Sequence, residues 1–251
     1  MRIDNTGFAN IKVLQNEGLG YGVDSVLLAA FAAGETGARP IAKNSVVADL
    51  GSGSGIVGFI ICHKVEGATV VGIEKRLSAV DRARQAAELN DMTDRIQFVE
   101  ADVKDYVANA DGTEHAGLVK FDAVVSNPPY FRQDAAIPSD ENDKYVARHE
   151  TTANIYDFGK TMSEMLDRGG DCYLVHRPDR LVDIFEAMRS NGIEPKEMQM
   201  VVPRAGEPAN IVLIHGVKGA GRELKLLPEI AVHTADGGYT ELIERIYERN
   251  K

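Results

Sequence analysis

A chain of 251 residues, 44% hydrophobic and 26% charged with no low-complexity tract, is long enough to bury a substantial core, and its longest apolar runs, such as GIVGFIIC, are too short to span a membrane. The opening MRIDNTGFANIKV lacks the apolar stretch of a secretory leader, and Cys62 and Cys172 have neither zinc spacing nor a disulfide-rich context, so two buried thiols in a reducing cytoplasm are expected. The formal net charge of −10 argues against indiscriminate binding to a polyanion: residues 49–150 hold 11 basic and 18 acidic side chains, and the chain has no Lys/Arg block.

In chain order, YGVDSVLLAAFAAG predicts a short helix starting near Asp24 or Ser25 within an N-terminal segment, residues 1–44, that packs on the remainder. From Ser45 onward, short apolar runs alternate with amphipathic stretches. SVVADL (45–50) reads as a buried strand, followed by a glycine-rich turn and a helix through IVGFIICHKV. ATVVGIE (68–74) is a second strand, RLSAVDRARQAAELNDM a helix, RIQFVEAD (95–102) a third strand and FDAVVSN (121–127) a fourth. DFGKTMSEMLDRGG predicts a helix closed by its glycines, DCYLVHR (171–177) a fifth strand, and PDRLVDIFEAMRSNG a helix with proline near its start. EMQMVVP and NIVLIHGVKG predict a closing antiparallel pair. Strands alternating with helices imply a mostly parallel sheet covered on both faces.

Three acids and a glycine turn fall at the carboxyl ends of the first three strands, where ligands bind in open α/β sheets. In VVADLGSGSGIVG, Asp49 ends the first strand and Gly51, Gly53 and Gly55 allow a sharp turn whose backbone can approach a ligand. A carboxylate so close to the turn suits a cationic ligand better than a pyrophosphate, and no G-x-x-x-x-G-K-[ST] run is present. Nineteen residues past Gly55, Glu74 is placed to accept from a ribose diol, and Asp102, with Val103 beside it, to accept from an adenine amino group. Together these predict a nucleoside site.

The fourth strand leaves the sheet through Asn127, Pro128, Pro129 and Tyr130. Adjacent prolines cannot continue a central strand, and they stiffen the backbone outside the ladder with carbonyls free. The side-chain oxygen of Asn127 and the carbonyl of Pro128 are suited to accept both hydrogens of a planar amine, turning its delocalised lone pair outward. Tyr130 is suited to stack on the acceptor and Phe131 to assist. The polar loop 132–150 that follows is either a mobile connection or a substrate-contact element.

The order DLGSGSG, Glu74, Asp102, NPPY resembles the class I methyltransferases over residues 45–217. That resemblance implies a Rossmann-like fold with a mostly parallel seven-stranded sheet, helices on both faces and an antiparallel closing strand, in a catalytic domain of residues 45–251. It also implies S-adenosyl-L-methionine as methyl donor, no metal and no membrane association. YGVDSVLLAAF, ARHE (147–150) and HRPDRL (176–181) further resemble the bacterial tRNA1(Val) adenine-37 N6-methyltransferases, which implies a tRNA substrate. Arg148, Arg177 and Arg180 are then candidates for RNA contact, and Tyr21 and Asp24 for the methionine end of the donor, although a helix cap also explains Asp24. His176 receives no chemical role.

NPPY also serves the glutamine amide of release factors and other base amines. A release-factor enzyme is expected to carry a separate helical N-terminal domain, for which 44 residues are too few, and a DNA enzyme a sizeable target-recognition region. A loop adenine in RNA is already accessible, so a small enzyme suffices. A noncatalytic nucleoside-binding protein would be signalled by an altered Asn127 or a broken glycine loop; neither occurs.

Overall fold

The alternation of apolar runs and helices produces the expected sheet. The computed structural model of the chain describes residues 2–5, 8, 10–15, 21–106, 120–128 and 153–248. Two short strands, β1 (Arg2–Asn5) and β2 (Lys12–Gln15), pair with each other apart from the main sheet. Then come α1 (Val23–Ala32), β3 (Val46–Leu50), α2 (Ile56–Lys64), β4 (Thr69–Glu74), α3 (Leu77–Leu89), β5 (Ile96–Glu100) and β6 (Phe121–Ser126). They are followed by α4 (Ile155–Met165), β7 (Leu166–His176), a 3-10 turn (Pro178–Arg180), α5 (Leu181–Ser190), β8 (Ile193–Arg204) and β9 (Ile211–Lys218). The last elements are β10 (Lys225–Leu226), β11 (Ile230–His233) and α6 (Glu241–Ile246).

The strand order is β10-β8-β9-β7-β6-β3-β4-β5, with β11 also on β8; β5 through β7 run parallel, and β9 is antiparallel to both β7 and β8. Among the described residues the sheet therefore has nine strands rather than the expected seven. The two extra strands, two and four residues long, add in parallel along β8, Leu226 opposite Met198 and Ile230 opposite Val201. Strands that short carry too little alternation to be read from sequence.

A second difference lies at the end of α4. The glycines of DRGG do not close that helix. It stops at Met165, and Leu166 already pairs with Phe121 on β6. The register then jumps so that Asp171 pairs with Ala123, and Gly169, at φ +91°, lies in the irregular stretch between. The glycines serve a bulge rather than a helix cap.

Side chains alternate across the strands as the pleat requires. Val47, Val125, Tyr173 and Val175 face one buried cluster with α1, α2, α3 and α6; Ala48, Leu50, Val124 and Leu174 face the other with α4 and α5. Helix α1 is buried from Ser25 to Ala32, and Leu27, Leu28 and Phe31 are wholly inaccessible. Each such side chain contributes roughly 2 kcal/mol of burial, so α1 shares one core with the sheet. Asn90, just past α3, accepts from the Lys12 amide (2.8 Å) and donates to the Lys12 carbonyl (2.7 Å), holding β2 against α3. That pairing carries Leu14 and Gln15 over the carboxyl ends of the strands. Among the described residues no helix is long and apolar enough to cross a membrane.

Candidate active site

The turn after β3 is held from behind by β4. The amides of Gly51 and Ser52 donate to the Ile73 carbonyl at 2.8 and 3.1 Å, and the Gly53 amide donates to Glu74 Oε2 at 3.0 Å. Gly55 opens α2 at φ +79°, where a Cβ would lie 2.5 Å from Phe98 Cζ, so only glycine fits both the left-handed conformation and the space. No side chain caps α2 at this end.

Glu74 does not present an open carboxylate, contrary to what its place at a strand end implied. It is 6% exposed; Oε2 holds the loop, and Oε1 accepts from Arg76 through the amide at 3.0 Å and Nε at 2.8 Å. Asp102 lies past the end of β5 rather than within it. Its Oδ2 sits 2.7 Å from Lys75 Nζ and its Oδ1 accepts from the Lys104 amide. Burial works to raise its pKa, but the hydrogen bonds from Lys75 and the Lys104 amide, with the two ammonium charges, outweigh burial and bring it below the usual carboxylate range. Val103 is a core residue whose carbonyl accepts from Thr161 Oγ1 at 2.8 Å.

Asp49 and Ser52 each bring a buried, unsatisfied oxygen to the site, Asp49 through Oδ2 and Ser52 through Oγ. Asp49 is 1% exposed and its Oδ2 has no hydrogen-bond partner among the described residues. Burial, with a smaller push from the charge of Glu74 and against the pull of the Gly58 amide, raises its pKa from 3.8 to about 7. A carboxyl in that state is stabilised by any cation that reaches it.

Asn127 follows β6 directly. Ser126 Oγ donates to the Leu50 carbonyl at 2.9 Å, locking the ends of β3 and β6 together. Asn127 Nδ2 donates to Ser25 Oγ at 3.0 Å, from a residue 102 positions earlier. Pro128 is buried. Pro129, Tyr130, Phe131 and Arg148, with the loop 132–150, lie outside the described residues.

A cavity of about 230 Å³ joins these groups. Asp49, the turn 51–54 and Asn127 form one wall, Arg76 just before α3 and Ala79 and Arg82 on α3 form another, and Leu14, Gln15, Tyr21 and Ser25 close it from the N-terminal side. Of the residues expected from sequence, Asp49, Gly51, Gly53, Asn127 and Tyr21 meet here; Gly55, Glu74, Asp102 and Val103 stand behind or beside it. Asp24 accepts from the Ser25 amide at 2.9 Å within the first turn of α1. Ser25, Gln15, Arg76 and Arg82 were not anticipated. The one available signal was Ser25 itself, the one polar side chain in the buried run from Ser25 to Ala32.

The arginines near β7 are matched within their own turn. Arg177 Nε lies 3.7 Å from Asp179, and Arg180 Nε lies 2.6 Å from Asp183, close enough for an ion pair although the N–H is not aligned for a hydrogen bond. They add no net positive patch there. His176 is buried, its Nδ1 accepting from the Arg177 amide; burial lowers its pKa.

The geometry agrees with what the chain resembles. The methyltransferase small domain family matches residues 26–180. The chain is 28% identical over 228 residues, 90% of each protein, to a tRNA1(Val) (adenine(37)-N6)-methyltransferase of Bacteroides fragilis. It is 32% identical over 182 residues, 72% of this chain and 64% of the other, to a protein of the same name from Porphyromonas gingivalis. Among solved structures, a predicted O-methyltransferase, protein Atu636 from Agrobacterium tumefaciens, has a TM-score of 0.70 at 26% identity, covering 90% of this chain and 95% of that one. Thermus thermophilus 16S rRNA N2 G1207 methyltransferase in complex with AdoMet and guanosine shares the fold at a TM-score of 0.54 and 20% identity, over 86% of this chain and 50% of that one. This chain belongs to the methyltransferase small domain family.

Proposed function

We propose that this chain is a cytoplasmic enzyme that transfers the methyl group of S-adenosyl-L-methionine to the exocyclic N6 amine of an adenine in tRNA, adenine 37 of a valine tRNA. The observation that carries the reading is the placement of Asn127. It stands at the end of β6 beside the cavity of Asp49, its NH2 group engaged with Ser25 and its Oδ1 accepting from no described residue. The name and coverage of the curated relatives supply the choice of tRNA.

The residues present fit the donor. Asp49 offers an unpartnered buried carboxylate oxygen to a positive charge, and the turn 51–54 offers bare backbone along the cavity. Gln15, Tyr21 and Ser25 exclude water from the N-terminal side, so residues 1–44 roof the site and residues 45–251 form the catalytic domain. Arg76, whose side chain is 59% exposed, is the group that a ribose diol would displace from Glu74; Lys75 stands in the same relation to adenine at Asp102. When bound, S-adenosyl-L-methionine supplies an electrophilic methyl group.

The chain's own task is to make the amine nucleophilic. Asn127 Oδ1 and the Pro128 carbonyl accept its two N–H groups, which turns the lone pair out of conjugation and toward the donor. As positive charge develops on nitrogen the same two oxygens stabilise it, and because they are already oriented no reorganisation is needed. The proton then leaves to solvent. Tyr130 stacks on the base with help from Phe131, while Arg148, Arg177 and Arg180 contact the RNA. An O-methyl acceptor would bring one hydrogen and leave one of the two oxygens unused.

The test is transfer of labelled methyl groups to unmodified tRNA, duplex DNA and a release factor in parallel, followed by digestion. N6-methyladenosine from tRNA alone is expected. Label on glutamine would retain the clamp and overturn the substrate; label on none of the three would overturn the reading.

A further inference from the structure

We infer that Ser25 is a positioning residue for Asn127: its hydroxyl fixes which way round the Asn127 amide sits, so that the carbonyl oxygen rather than the NH2 group meets the incoming amine. The inference rests on the amine-clamp reading of Asn127 and adds to it a residue from the N-terminal helix, outside the strands that carry the glycine turn and the prolines.

A primary amide is nearly symmetric in shape and opposite in hydrogen-bonding sense at its two ends. Turned by 180°, Asn127 would offer two N–H donors to an acceptor that also brings N–H donors, and the clamp would repel its substrate. Nothing in Asn-Pro-Pro itself selects the productive orientation; a partner from elsewhere in the fold has to. Ser25 Oγ, 3.0 Å from Asn127 Nδ2, is that partner, and tertiary structure alone brings it to the amide.

Three features suit Ser25 to the task. It is the third residue of α1, so the carbonyl four residues back, at Tyr21, precedes the helix, and its hydroxyl is not spent on the local back-bonding that serines make inside helices. Its backbone amide, an orphan donor at the helix start, is already satisfied by Asp24 Oδ1 at 2.9 Å. It is 7% exposed on a helix whose next seven residues are buried, so its Cα cannot drift relative to β6. The hydroxyl accepts from Asn127 Nδ2 with a lone pair, which leaves its own hydrogen free of that bond. With the hydroxyl oxygen committed to the Asn127 NH2 group, Oδ1 is the end of the amide left for the incoming amine.

One buried hydrogen bond holding one of two orientations biases them by roughly tenfold. Removing it leaves the two orientations equally populated, so Ser25→Ala is expected to lower kcat about twofold, with KM for tRNA and the dissociation constant for S-adenosyl-L-methionine unchanged. Ser25→Thr, which keeps the hydroxyl, restores kcat, and Ser25→Ala adds nothing to Asn127→Ala. A readout independent of turnover is the 15N side-chain NH2 signal of Asn127, identified by its absence in Asn127→Ala and followed without donor or substrate. In Ser25→Ala it shifts and its hydrogens exchange faster with water. An unchanged signal, or a loss of donor affinity with kcat intact, overturns the positioning role. Wild-type turnover in Ser25→Ala beside a dead Asn127→Ala overturns it too and leaves the clamp standing, whereas wild-type turnover in Asn127→Ala removes the clamp itself.

Discussion

Replacing Asp49 by Asn should stabilise the ligand-free protein while weakening its hold on the donor, and the effect should depend on pH in a way that only a buried, raised carboxyl produces. The group has a pKa of about 7 in the fold against 3.8 when free. Between those values the native chain keeps a proton that the unfolded chain has released, so stability falls as pH rises from about 4 to about 7 and levels off near pH 8. At 1.36 kcal/mol per pKa unit the full cost is about 4 kcal/mol. An amide of the same shape removes the titration. Urea denaturation of both forms from pH 5 to 8.5 gives the comparison, since every other titrating group is common to the two and cancels in the difference. The variant should gain on wild type by about 2 kcal/mol between pH 5 and 7, then by a few tenths more before levelling off near pH 8. Saturating S-adenosyl-L-methionine should flatten the wild-type profile, because a cation at the site lowers the pKa of Asp49. Parallel curves for the two proteins would refute the claim that Asp49 sits buried without a counter-charge.

Three further outcomes follow from particular contacts. Asn127→Ala should cost about 10²- to 10³-fold in kcat, as expected for removal of one preorganised charge-stabilising group, with donor affinity retained by calorimetry. Gly55→Ala should destabilise the fold by about 2–4 kcal/mol in chemical denaturation, combining a left-handed φ with a Cβ driven into Phe98. Asn90→Ala removes both of the bonds that hold the Lys12 backbone. Hydrogen exchange should then rise in β2 while β3 to β6 stay protected, and donor affinity should fall because Leu14 and Gln15 no longer close the cavity.

What could be read from the sequence was what short-range pattern encodes. The β-branched runs SVVADL, ATVVGIE and FDAVVSN announced buried parallel strands, DLGSGSG placed a turn at the mouth of the sheet, and consecutive prolines marked where β6 must stop. What was not legible shares one cause: the deciding partner is distant in sequence. Gly169 and Gly170 looked like a helix terminator because nothing local shows that Leu166 is already paired with Phe121 on a neighbouring strand. The hold of Glu74 on the glycine turn was not legible because the Gly53 amide that donates to one of its oxygens lies 21 residues away. Ser25 looked like part of a helix start, since its bond to Asn127 spans 102 positions. Local propensity can propose a carboxylate or an amide for a site, but tertiary contacts decide which atoms of it remain available.

The central claim is tested most directly by nucleoside mass spectrometry on two valine tRNAs transcribed without modifications, one with adenine and one with guanine at position 37. Each is incubated with the purified chain and S-adenosyl-L-methionine. The account predicts N6-methyladenosine at position 37 of the first and no methylation of the second. Methylation at another position, equal methylation of both, or none in either would contradict it.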